Sequence, residues 1–189
     1  PNDHWHNPTS GKADLAEALY YLAHTQRETG DMPAGAQSMT QRAKVHERLT
    51  QTNPDHKPTL ATAIVIDLIA VFRAGLPPDK AKTLARQGVT VCEELAGLRN
   101  PGNQTPVNYE NLTAFTPNDH WHNPTSGKAD LAEALYYLAH TQRETGDLAT
   151  GRLVIRERVR LFERLTEIHP GLWLAALEQA KTDATAFGA

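Results

Sequence analysis

A chain of 189 residues with 40% hydrophobic and 22% charged residues has globular composition, which excludes wholesale disorder. A formal charge of −3 and a pI near 6.3 provide no bulk attraction to nucleic acid or anionic lipid. The longest apolar stretch, from Ala63 to Phe72, is interrupted by Asp67 and is too short to span a bilayer. Neither a nucleic-acid nor a membrane partner is therefore expected, and the location expected is cytoplasmic. The one cysteine, Cys92, lies among Val89, Val91 and Leu95 and is expected to be a small buried hydrophobe rather than a reactive thiol. The chain begins at Pro1 inside a motif, and we read it as a piece of a longer protein.

The motif at Pro1 is half of an internal repeat. Residues Pro1 to Asp31 recur without a change as Pro117 to Asp147, an offset of 116. Beyond Asp31 the same offset keeps only Gly35, Arg42, Glu47, Arg48, Leu49, Thr50 and Pro54 over the next 23 positions. Two old repeats would have diverged along their whole length, so the sharp edge points to recent duplication, gene conversion or copying of the segment. A copied block supports any reading of it only once.

Within the block, Leu15, Ala18, Leu19, Leu22 and Ala23 follow the spacing of one helical face. Gly30 ends that helix, because glycine accepts the left-handed backbone that follows a helix C-terminus. A second helix is expected at about 35 to 52, stopped by Asn53-Pro54. Leu60 to Ala74 is apolar almost all round and predicts a helix sandwiched between neighbours. Pro77-Pro78 opens a fourth helix, Asp79 to Leu98, with an apolar stripe of Ala81, Leu84, Ala85, Cys92 and Leu95. Residues 100–127 form an irregular connection with at most a short helix from Val107 to Phe115. The second copy then predicts another helical hairpin, its second helix marked by Ile155, Val159, Phe162, Leu165 and Ile168. A last helix at about 172 to 186 carries Ala175, Ala176, Ala180 and Ala184, a face for capping the stack or for self-association. No segment shows the period of two of a half-buried strand.

The stretch Ala16 to Asp31 resembles the first helix of a tetratricopeptide repeat. It reads Leu19-x2-Leu22-Ala23-x2-Gln26 and, identically, Leu135-x2-Leu138-Ala139-x2-Gln142, followed by a Gly-Asp turn. Ala23 and Ala139 meet the family's small residue at a close helix crossing, and Pro54 and Pro170 its closing proline. The long second helices correspond to the extended-repeat type. The resemblance implies an all-α α-solenoid of antiparallel hairpins: two in residues 1–99, then, in 128–189, a third hairpin plus a C-terminal capping helix. It also implies a concave face lined by first helices that receives a peptide or partner helix. On that analogy the groove residues are Glu17, Tyr20, His24 and Arg27, and in the copy Glu133, Tyr136, His140 and Arg143. Their spacing lets them project together, and it is equally that of a solvated helix face. Val65, Ile69 and Phe72 are the third helix's counterparts, with packing as their expected role.

Other clusters read more plainly. Arg152, Arg156, Arg160 and Arg164 stand four apart, but Glu157 and Glu163 lie within reach, so a solvated outer face is expected. In Asp3-His4-Trp5-His6, repeated as Asp119-His120-Trp121-His122, the pairs His4/His6 and His120/His122 could begin a metal site, yet each falls short of the ligands that zinc needs. A loop leading into a helix is the simpler reading. The chain carries no H-E-x-x-H, no G-x-S-x-G and no phosphate loop. Thus neither catalysis nor a cofactor is expected. The sequence points to a protein-interaction or scaffolding module within a larger signalling or regulatory protein. Its alternative is a regulatory domain sensing a small ligand or metal through the Trp/His loop and the groove tyrosines.

Overall fold

The computed structural model describes residues 8–103, 105, 107 and 126–189. Among them every regular element is helical: α1 (Pro8–Glu28), α2 (Met32–Thr52), α3 (Lys57–Thr62) continued by a π-helical segment (Ala63–Val71), α4 (Pro78–Leu95), α5 (Ser126–Glu144), α6 (Leu148–Ile168) and α7 (Pro170–Ala186). The short helix expected between Val107 and Phe115 lies outside the described residues. No described helix is long and apolar enough to cross a membrane.

The helix ends follow from residues already named. Gly30 and Gly146 take φ of +86° and +81°, and the amides after them close the C-termini by reaching back to Gln26 O and Gln142 O. Asp31 and Asp147 then cap the next helices, accepting from the amides of Ala34 (3.1 Å) and Thr150 (3.2 Å). Asn53 stops α2 and accepts from the amide of Asp55. Because Pro33 fits the first turn of a helix, α2 starts at Met32, earlier than the expected residue 35.

The chain forms two compact units, Pro1–Ala81 and Lys82–Ala189, divided in the first turn of α4. In the first, α1 packs along α2, and α2 along the π segment. A glycine sets the approach in each unit: a Cβ on Gly35 would lie 3.0 Å from Ala23 O, and one on Gly151 3.1 Å from Ala139 O. Both alanines are fully buried, as the close crossing requires. In the second unit α5 packs on α6 and α6 on α7. The core of the first is centred on Met39, Leu49, Ile64, Leu68, Ile69 and Phe72, that of the second on Leu131, Ile155, Leu161 and Leu165.

The single apolar face read from Leu15 to Ala23 divides into two. Ala16, Leu19 and Ala23 are buried, whereas Leu15 and Leu22 are 51% and 48% exposed. In the identical α5 both sets are buried, with Leu131 at 0% and Leu138 at 7%. The five residues span an arc too wide for one neighbouring helix, so the second set needs a second neighbour.

Candidate functional site

The two units repeat more than the copied block. In the first, Tyr20 stacks against His24 one turn on, ring centroids 4.4 Å apart. The guanidinium of Arg42, on α2, lies 5.1 Å from the centre of the Tyr20 ring and forms an ion pair with Asp67 of the π segment. His24 meets the edge of Phe72 at 5.9 Å. In the second unit Tyr136 stacks on His140 at 4.3 Å, Arg158 covers Tyr136 at 5.0 Å and pairs with Asp183, and His140 meets Phe187 at 4.9 Å. The same five side chains thus tie three helices together twice.

Four of the five keep the offset of 116: Tyr20/Tyr136, His24/His140, Arg42/Arg158 and Asp67/Asp183. Phe72 and Phe187 are out of step by one residue. The cause is the π segment, whose i to i+5 hydrogen bonding holds one residue more per turn than the α-helical α7. It delivers Phe72 to His24 five residues after Asp67, where α7 needs four to bring Phe187 to His140.

This geometry places the eight expected groove residues. Glu17 and Arg27 are exposed, as are Glu133 and Arg143, the last with its guanidinium 5.2 Å from the centre of the Phe187 ring. Tyr20, His24, Tyr136 and His140 are half-buried and take part in the three-helix ties. Val65, Ile69 and Phe72 are fully buried, in the packing role expected of them.

Beside the first tie is a cavity of about 450 Å3, lined by Glu17, Tyr20 and Tyr21 of α1, Arg42, His46 and Leu49 of α2, and His56 and Thr59 beyond it. His46 was not singled out in the sequence, although the repeat offers a signal: its counterpart at the same offset is Phe162, an apolar core residue. His46 is 6% exposed, and neither ring nitrogen has a protein hydrogen-bond partner. Burial, with the nearby charges of Arg42 and His56, lowers its pKa to about 4, so the ring is neutral at pH 7. The cavity therefore offers a carboxylate, two phenols and two imidazoles, that of His46 neutral, beside a paired guanidinium, a mixture suited to side chains of a peptide.

Arginines of α6 are engaged within their own unit. Arg152 donates to Phe187 O at 3.0 Å, and Arg160 and Arg164 pair with Glu157 and Glu167. Cys92 is fully buried, and burial, helped by the charges of Asp130 and Glu93, pushes its thiol up, away from reactivity. The candidates His4, His6, His120 and His122 lie outside the described residues. Among those described, no three His, Cys, Asp or Glu side chains converge as metal ligands would. Comparison with known families, with curated proteins and with solved structures returns no match.

Proposed function

We propose that this chain is a protein-interaction module, an α-solenoid of tetratricopeptide type that holds a peptide or partner helix against its first helices and scaffolds it within a larger signalling or regulatory protein. The observation that supports this most is the cavity beside Tyr20, because it opens on the face of α1 that the family resemblance assigns to ligand and includes Glu17 and Tyr20. Exposed Glu17 and Arg27 mark two edges of the binding face, and the three-helix tie holds Tyr20 in one orientation, so little side-chain entropy is lost on contact. No catalysis and no cofactor enter this reading.

Site-specific photo-crosslinking tests it without disturbing the ties. A benzophenone amino acid at Glu17 or at Arg27 is expected to give a discrete protein adduct in cells, and one at exposed Glu178 is not. Equal labelling at all three positions would remove the groove from consideration.

A further inference from the structure

The copied block is an experiment within one chain, since residues 10–31 and 126–147 have the same sequence and different surroundings. On α5, Leu131, Ala134 and Thr141 are fully buried and Leu138 nearly so. Their counterparts on α1, Leu15, Ala18, Leu22 and Thr25, are all exposed, and Tyr21 beside them is 61% exposed. What differs is α4, whose Lys82 and Cys92 interact with residues at opposite ends of α5. At one end the Lys82 ammonium lies 3.4 Å from Thr145 Oγ1 and 3.8 Å from Asp147; at the other, Cys92 lies near the Asp130 carboxylate. Between them Ala85, Val89 and Cys92 of α4, spaced i, i+4, i+7, are buried.

We propose that the bare face of α1 is a docking surface for an antiparallel amphipathic helix of α4 chemistry, supplied by a partner protein. That chemistry is small or β-branched apolar residues at i, i+4 and i+7, with a lysine three residues before the first. The same side chains tolerate being covered, because their twins on α5 are buried in the unit that contains most of α4. Asp31 is exposed, and among the described residues no cation pairs with it, so the partner's lysine lands on it as Lys82 lands on Asp147. Covering the face does not strand the Thr25 hydroxyl: Thr25 Oγ1 already donates to Tyr21 O, as buried Thr141 Oγ1 does to Leu138 O. A second copy of this chain is not the occupant, since its own α4 is engaged on its α5. Apart from Tyr21, which also lines the cavity, this face shares no residue with the one that carries Glu17, Tyr20, His24 and Arg27, so the proposal does not depend on the groove.

The test adds a labelled peptide of residues 77–99, with Cys92→Ala to prevent oxidation, to the full chain and follows fluorescence anisotropy. Saturable one-to-one binding is expected. Leu22→Glu in the chain should weaken it at least tenfold while leaving helicity unchanged, because Leu22 is exposed. Asp31→Asn should weaken it roughly threefold, and a peptide with Lys82→Ala should lose that same factor with no further loss in the Asp31→Asn chain. Absence of saturation at millimolar peptide overturns the proposal. So does binding that Leu22→Glu leaves unchanged, which would mean the peptide had displaced α4 from α5. A chain that dimerises by sedimentation, with Leu22→Glu restoring the monomer, would also overturn it by assigning the face to a second copy.

Discussion

Helices α1 and α5 share their sequence and their shape and differ in what lies against them. Both form because the block carries its own helical pattern and its own Gly-Asp stop, and both lean on a second helix through the same alanine and an opposing glycine. Among the described residues, Leu131, Ala134 and Leu138 on the other face of α5 are buried, whereas their counterparts on α1 are exposed. The local sequence thus decides that a helix forms and which side chains share a face, whereas burial of a face is decided by a neighbour encoded elsewhere. The comparison is broken most forcefully by one substitution made twice. Leu138→Glu drives a carboxylate into the buried side of α5 and should cost more than about 3 kcal/mol. Leu22→Glu puts the same carboxylate in water and should cost less than about 0.5 kcal/mol. Urea denaturation of the two variants checks this, and equal losses would contradict the burial difference between the helices.

The next largest effect belongs to the feature that the two units share. Arg42 and Asp67 are largely shielded, with side chains 13% and 14% exposed, as are Arg158 and Asp183 at 11% and 18%. Removing one carboxylate leaves a guanidinium packed on a tyrosine ring without its counter-ion. Asp67→Ala and Asp183→Ala should each destabilise by about 2–4 kcal/mol, somewhat below a fully buried pair. A near-neutral result in either, by thermal or urea melting, would show that its Arg is held by the aromatic ring alone.

These ties also show how far the sequence could be read. Helix existence, the Gly30 and Asn53 stops and the burial of Cys92 all follow from local chemistry, because spacing, caps and breakers act within a few residues. Arg42 was visible as a conserved offset, but Asp67 read only as a blemish in an apolar run, since its partner is 25 residues away. Phe72 was harder still, being shifted out of register by a π turn that no composition rule announces. The spacing showed that Glu17, Tyr20, His24 and Arg27 share one side of α1, but the packing of Tyr20 and His24 under Arg42 and Phe72 was not legible. That packing depends on a third helix whose side chains differ almost completely between the two units.

His46 and Phe162 occupy equivalent positions, and exchanging one for the other sharpens the comparison. In the folded chain the His46 pKa is lowered to about 4 from an ordinary value near 6.5. Between those values the unfolded chain binds a proton that the folded chain does not, so stability rises with pH across that window and is lost as pH falls through it. Above 6.5 the contribution is fully present. His46→Phe removes the titrating ring and puts into the first unit the residue that already fits the second. Its advantage over the parent should be smallest at pH 7 and grow by roughly 1–3 kcal/mol on going to pH 4. Parallel stability curves over that range would show that His46 remains solvated.

The smallest effect tests the copied block one side chain at a time. Gln26 and Gln142 are the same residue of the copy, yet Ser38 Oγ donates to Gln26 Oε1 at 2.8 Å, while Gln142 Oε1 is buried without a partner. The reason is the offset position of Ser38, which holds Val154, a residue packed on the second core. Val154→Thr keeps one methyl group on that core and adds a hydroxyl able to donate to Gln142. It exchanges one β-branched residue for another of similar helix propensity, so the backbone cost is small. The gain of a hydrogen bond to a stranded buried acceptor should therefore outweigh the lost methyl, for a net stabilisation of about 0.5–1 kcal/mol. Gln142→Leu, which removes the acceptor, should abolish the benefit of Val154→Thr. A benefit that survives in the double variant would place the hydroxyl on some other acceptor than Gln142.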